Sequence, residues 1–160
     1  MDITIFRIDD RLIHGQVITA WIAYADAETI IVADDNAAGD EFQQSLLKMA
    51  TPNSVKLNIL SIQDTIELLK TDTSSTRALL LVRTPKGAYD ILDAGIKIES
   101  INIGNINMKK NKIKILGNFW VSQEDIDCLY KISEKGVKLE VRAVPNERSQ
   151  DAVNLLKKIK

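Results

Sequence analysis

Apolar residues along this chain follow two alternating rhythms. Short, nearly unbroken runs rich in β-branched residues recur at ITIFRI (3–8), TIIVA (29–33), VKLNIL (55–60), ALLLV (78–82), SINIG (100–104), KIKIL (112–116) and KLEVRAV (138–144). Several are apolar throughout instead of alternating, as strands are when helices cover both faces of a parallel sheet. The segments between them carry apolar residues at helical spacing, as at Phe42, Leu46, Leu47 and Met49–Ala50, or at Ile66, Leu68 and Leu69. A helix is predicted to start around Gly15–Gln16 and run through Val17, Ile18, Trp21 and Ile22, another to cover 123–132, and a terminal one to occupy ERSQDAVNLLKK (147–158). Gly95 and Gly136 stand where a helix would stop and a strand begin. The polar stretch NINMKKNK (105–112) is too short for a covering helix, so a solvated turn is expected there, and TDTSST (71–76) reads as a surface loop. The fold class that results is α/β: a single doubly wound, mostly parallel sheet of about seven strands with helices on both faces, in one domain over residues 1–160.

A chain of about 150 residues buries roughly 68–70% of its unfolded surface, enough for a real core. Its 21 basic and 22 acidic residues leave a formal charge of -1, with a pI near 5.9. No basic excess exists to neutralise a phosphate backbone, so no nucleic-acid partner is expected. The lone Cys128 cannot form an internal disulfide, which suits a reducing compartment, and within its helix it reads as a small buried hydrophobe. The first residues show no signal peptide, and no window approaches the ~20 apolar residues of a membrane span. A cytoplasmic location is expected.

Charge becomes informative at RIDDRLIHGQV (7–17), which holds the only histidine of the chain. In a doubly wound sheet, ligands bind outside the carboxyl ends of the strands, and anions favour the N-termini of the helices that follow. His14 falls at such a place, after the first strand and before the first helix. There Gly15 lets backbone approach closely, the amides at Gly15 and Gln16 point outward, and Arg11 offers a forked pair of donors. A neutral imidazole can attack a phosphoryl group when its other nitrogen carries a proton held by an acceptor. Asp9 or Asp10 is the candidate acceptor. The same residues also suit a solvated turn, with Asp10 capping the next helix.

RIDDRLIHGQVITAW closely resembles the active-site signature of the enzyme IIB component of the mannose/fructose/sorbose family of the bacterial sugar phosphotransferase system (PTS). IIVADDNAAGDEFQQSLLKMATP, RTPKGAYDILDAGIKIESINIGN and KGVKLEVRAVPNE resemble further blocks of that family, so the likeness spans nearly the whole chain. The resemblance implies a phosphocarrier: His14 would accept a phosphoryl group at Nδ1 from phospho-IIA. It would then pass the group to a sugar brought in by the membrane IIC and IID subunits. The signature arginine falls on Arg11 and the acidic pair on Asp9 and Asp10. No IIA domain adjoins the block, which implies a free-standing IIB component, attached to the membrane only through its transporter. No cofactor or metal is implied.

Topology adds rim candidates at Asp34, Asp35 and Asn36, at Thr84 and Pro85, and at Asn102 to Asn105, with Asp35 and Thr84 the preferred supporting residues. Each would equally serve as a turn or helix cap. Leu12 and Ile13, beside the histidine, are expected to be exposed contacts shared by donor and acceptor, with ordinary burial under the loop as the alternative. Two other readings compete. A receiver domain phosphorylated on aspartate would use the acidic pair, but no Asp ends the third strand and no Lys directly follows the fifth. A non-catalytic module would bind a phosphorylated partner in the same cradle. No G-x-G-x-x-G or P-loop sequence supports a nucleotide site.

Overall fold

A computed structural model describes residues 1–159. Its strands are β1 (Asp2–Asp9), β2 (Thr29–Ala33), β3 (Lys56–Leu60), β4 (Arg77–Val82), β5 (Ser100–Asn105), β6 (Ile113–Leu116), β7 (Phe119–Val121), β8 (Lys138–Val141) and β9 (Gln150–Asp151). Its helices are α1 (Gly15–Ala25), α2 (Asp35–Ala38), α3 (Glu41–Ala50), α4 (Ile62–Thr71), α5 (Pro85–Asp93), α6 (Gln123–Glu134) and α7 (Ala152–Lys157). Seven strands form one sheet in the order β3-β2-β4-β1-β5-β8-β9, parallel except for the antiparallel edge β9.

Alternation along the central strands sends side chains to both faces, and both are covered. In β4, Leu80 and Val82 join Phe6, Ile8, Ile91 and Leu129 in one core, while Leu79 and Leu81 join Ile18, Trp21, Ile30 and Leu47 in the other. The α/β architecture with helices on both faces is therefore the one the apolar runs predict. Helix starts follow local chemistry. Asp40 accepts from the amides of Phe42 and Gln43, Ser61 from Asp64, and Ser122 forms a reciprocal capping box with Asp125. Gly95 (φ 99°) and Gly136 (φ 85°) take the left-handed conformation just past α5 and α6.

Three expectations about the sheet are corrected. The run at 112–116 does not enter it: β6 pairs antiparallel with β7 in a separate ribbon closed by Gly117 and Asn118. A parallel neighbour needs a crossover of about a dozen residues or more, and the turn after β5 is too short to supply one. The seventh strand is instead β9, inside the segment read as terminal helix, so α7 begins only at Ala152, capped by Asp151. The strand expected over 138–144 ends at Val141 because residues 142 and 143 turn their carbonyls toward side chains of β1, β5 and α1.

Candidate active-site loop

β1 runs between β4 and β5 and delivers the 9–14 loop to the carboxyl end of the sheet. Its period of two places Arg7 and Asp9 on one face and Phe6 and Ile8 on the other. Beyond Asp9 the chain reverses: the Leu12 amide donates to the Asp9 carbonyl at 2.9 Å, with Leu12 in the left-handed region at φ 60°. Leu12 and Ile13 then point inward, 2% and 6% exposed, among Ile18, Trp21 and Val32. The expectation that they are exposed docking contacts is thus wrong. Burying two aliphatic side chains is what pins so short a loop to the core.

His14 is the N-cap residue of α1, and its carbonyl accepts the first helical bond, from Ile18 at 3.2 Å. Its side chain makes no capping bond, and among the described residues none of the hydrogen bonds involves the imidazole. His14, Gly15 and Gln16 are all exposed, and the first turn of α1 contains no acidic residue. The positive end of the helix dipole is therefore left without a side-chain counter-charge.

The acidic pair is engaged elsewhere. The Asp9 side chain is 2% exposed and lies between two guanidinium groups. Arg11 Nε donates to its Oδ1 and Arg11 Nη2 to its Oδ2, both at 3.2 Å, and Arg7 Nη2 donates to Oδ2 at 3.2 Å. The Arg11 amide also donates to Oδ1. Asp10 accepts at Oδ1 from Asn105 Nδ2 (2.8 Å) and Asn107 Nδ2 (3.1 Å), and at Oδ2 from the Asn107 amide (2.7 Å). Neither carboxylate bonds to His14; their geometry holds the loop and Arg11, not the imidazole.

Of the rim candidates, Asn102 and Asn105 adjoin the loop, through Arg7 and Asp10 respectively. Asp35 instead accepts from the Ile62 amide at 2.8 Å, tying α2 to α4, and Thr84 caps α5 by accepting from Gly87 at 3.1 Å. Neither bonds to residues 9–16.

Sequence reading passes over three supports. Arg83, directly after β4, donates to the Asp10 carbonyl (2.9 Å), to Asp34 (3.2 Å) and to Gln43 (2.7 Å), bracing the loop from below. Arg7 is buried over the ring of Trp21, 4.7 Å from its centroid, with Arg142 also placed over that ring. Burial lowers the Arg7 pKa to about 10, with Asp9 acting in the opposite sense, so the group stays cationic at neutral pH. Gly104 is the third: a Cβ there would lie 2.0 Å from the Arg7 guanidinium carbon. An isolated glycine inside a strand, two rows from a charged residue at an inward position, is the signal that marks this contact.

The site is a rim, not a pocket. Cavities of about 780 and 630 Å³ occur, lined among others by Tyr24 and Asn154, and by Phe6 and Lys97, and neither is lined by residues 9–16. Among the described residues no cluster of His, Cys, Asp and Glu is suited to a metal ion, and no helix is long and apolar enough to cross a membrane.

Comparison with known proteins agrees over the full length. The family described as PTS system sorbose subfamily IIB component matches residues 3–160. The chain is 33% identical over 160 residues to the fructose-specific EIIB component of Bacillus subtilis, covering 99% of this chain and 98% of that protein. It is 31% identical to the mannose-specific EIIAB component of Escherichia coli, covering 99% of this chain and 50% of that protein. The crystal structure of the IIB domain of the sorbose permease from Klebsiella pneumoniae superposes with a TM-score of 0.96 at 29% identity, covering 100% of this chain and 99% of that one.

Proposed function

Because the chain belongs to the sorbose-subfamily IIB components of the phosphotransferase system, we propose that His14 is its phosphoryl acceptor and donor. The phosphoryl group comes from a phosphorylated IIA protein and passes to a sugar presented by membrane IIC and IID subunits. The observation that carries this reading is the state of His14: an exposed imidazole with no hydrogen bond, on a loop whose neighbouring side chains are otherwise buried or paired. An imidazole nitrogen attacks phosphorus as the bond to the donor breaks. In the second half the P–N bond breaks as a sugar hydroxyl attacks, and the hydroxyl proton passes to the imidazole nitrogen that the phosphoryl group leaves. Charge on the transferring group meets the first amides of α1, including those of Gly15 and Gln16, and the half-exposed Arg11. Positioning and charge neutralisation do most of the work in phosphoryl transfer, so an open rim is sufficient.

An aspartyl phosphate gains no support, since Asp9 is buried between two arginines and Asp10 is held by two asparagines. Relatives named for fructose, sorbose and mannose share this domain, which supports placing sugar choice in the membrane subunits. Those subunits would also bring the protein to the membrane. Intact-mass measurement after incubation with the upstream phosphodonors tests the assignment. The parent should gain one phosphate, labile in acid and stable in alkali, while His14→Ala gains none and keeps its stability within about 0.5 kcal/mol. A one-phosphate gain in His14→Ala would overturn it.

A further inference from the structure

Arg11 is committed to two partners. A phosphoryl group on His14 that takes the same edge of the fork competes for it with Asp9, to which both Nε and Nη2 now donate. Departure would strip one cation from a carboxylate that is 2% exposed, and an unpaired buried carboxylate would be costly enough to hold Arg11 back. A second guanidinium is already in place. Arg7 donates to Asp9 Oδ2 and, unlike Arg11, cannot leave. Its Nη1 donates to Asn102 Oδ1 and to the Arg142 carbonyl, its Nη2 to the Ala143 carbonyl, and its plane lies against Trp21 with Gly104 leaving room behind. The side chains differ accordingly, 1% exposed for Arg7 and 32% for Arg11.

Building on the phosphocarrier reading, we propose that Arg7 is a positioning residue: it keeps Asp9 neutralised from behind, so that Arg11 is free to exchange the carboxylate for the phosphoryl group. Two guanidiniums around one carboxylate leave a surplus of one positive charge at rest. The incoming phosphoryl group, carrying about -1.5 to -2 units, is received into that surplus. Arg7 itself never touches the reacting atoms. Asp9 in turn serves as a rest for Arg11, holding its fork at the rim between transfers.

The test is a double-mutant cycle on phosphoryl transfer from phosphorylated IIA protein. Arg7→Met should lower kcat about 10–100-fold, the range found when a group that orients a functional residue is removed, with KM within about twofold of the parent. In an Arg11→Ala background the same change should cost no more than about twofold, because Arg7 acts only through Arg11. Losses that multiply would overturn the proposal and leave Arg7 a purely structural residue. Should Arg7→Met fail to fold, Gly104→Ala reaches the same point without changing a charge, since its methyl group would displace the guanidinium. It should reproduce the kcat loss, and a parental rate would count against the mechanism. Absence of phosphorylation in the parent chain would instead refute the phosphocarrier reading itself, so the two failures are distinguishable.

Discussion

Arg11 sits where a planar fork matters: two of its nitrogens already match the two oxygens of Asp9, and phosphate oxygens offer the same spacing. A lysine there keeps the charge and loses the fork, so Arg11→Lys should bind a phosphorylated partner yet transfer slowly. Losing an arginine that acts on a transferring phosphoryl group costs about 10³–10⁵ in rate, and the low end is expected here because α1 amides share the charge. Rapid-quench transfer rates equal to the parent would show that Arg11 only braces Asp9. Cys128 provides a contrast. Burial pushes its thiol above the ordinary value of 9.0, so it should react with thiol reagents slowly at pH 8 and faster once guanidinium unfolds the chain. The folded state holds that proton more tightly. The stability this contributes is full below the unfolded value and is lost as pH rises above it, which unfolding curves at pH 8 and pH 10 would register. Single residues were legible in the sequence wherever a local rule governs them. His14 after a strand, Gly15 at a helix start and Cys128 on a helix each follow from their neighbours. That neither carboxylate serves the imidazole was not legible, because Asp9 and Asp10 choose partners at Arg7, Asn105 and Asn107, and two of these are about a hundred residues away.

Elements carried their type more clearly than their facing. Phe42, Leu46 and Met49 announce a helix by their spacing, yet they form the outward stripe of α3 at 72%, 49% and 83% exposure. The inward side is held by Leu47 and by Gln43 and Gln44, which donate to Asp40, Ala37 and Ala38 or accept from Arg83. Periodicity fixes that one face is apolar and is silent on which face the sheet claims. Met49→Ser should therefore change stability by no more than about 0.5 kcal/mol, whereas Leu12→Ala, in a loop only a few residues long, should cost about 2–5 kcal/mol. Thermal melts of the two variants decide the point. Equal costs would mean that the loop is not held by its buried leucine. Of the β6–β7 ribbon, β6 was legible as a strand, while β7 and the ribbon as a separate unit were not. Its apolar run satisfies the rule for strands, while the bar to joining the sheet lies in the length of a connection rather than in the run itself.

At the scale of the whole molecule, the neighbouring strands β1 and β4 bring two arginines, Arg7 and Arg83, to the base of one loop, although the chain as a whole carries a formal charge of -1. The reactive surface left outside is small. With Leu12 and Ile13 buried, it consists of His14, Gly15, Gln16 and the outer part of Arg11. On the proposed phosphocarrier reading, a phosphoryl group received from one protein and handed to a sugar held by another would pass through that patch both times, so the docking surfaces of donor and acceptor should overlap there. Phosphorylation changes the local charge by about -1.5 to -2 units at the point of overlap, which should weaken the hold of the donor's product and favour the acceptor. Competition follows from the geometry and not from any conformational change. Titrating IIA protein against labelled chain bound to IIC–IID membranes should displace the label, and raising ionic strength from low salt to about 0.15 M, where screening acts beyond about 8 Å, should weaken both interactions in parallel. Simultaneous, independent binding of both partners would mean that the patch around His14 is reached from two separate directions, and that the exposed helix face of α3 or another surface carries one of them.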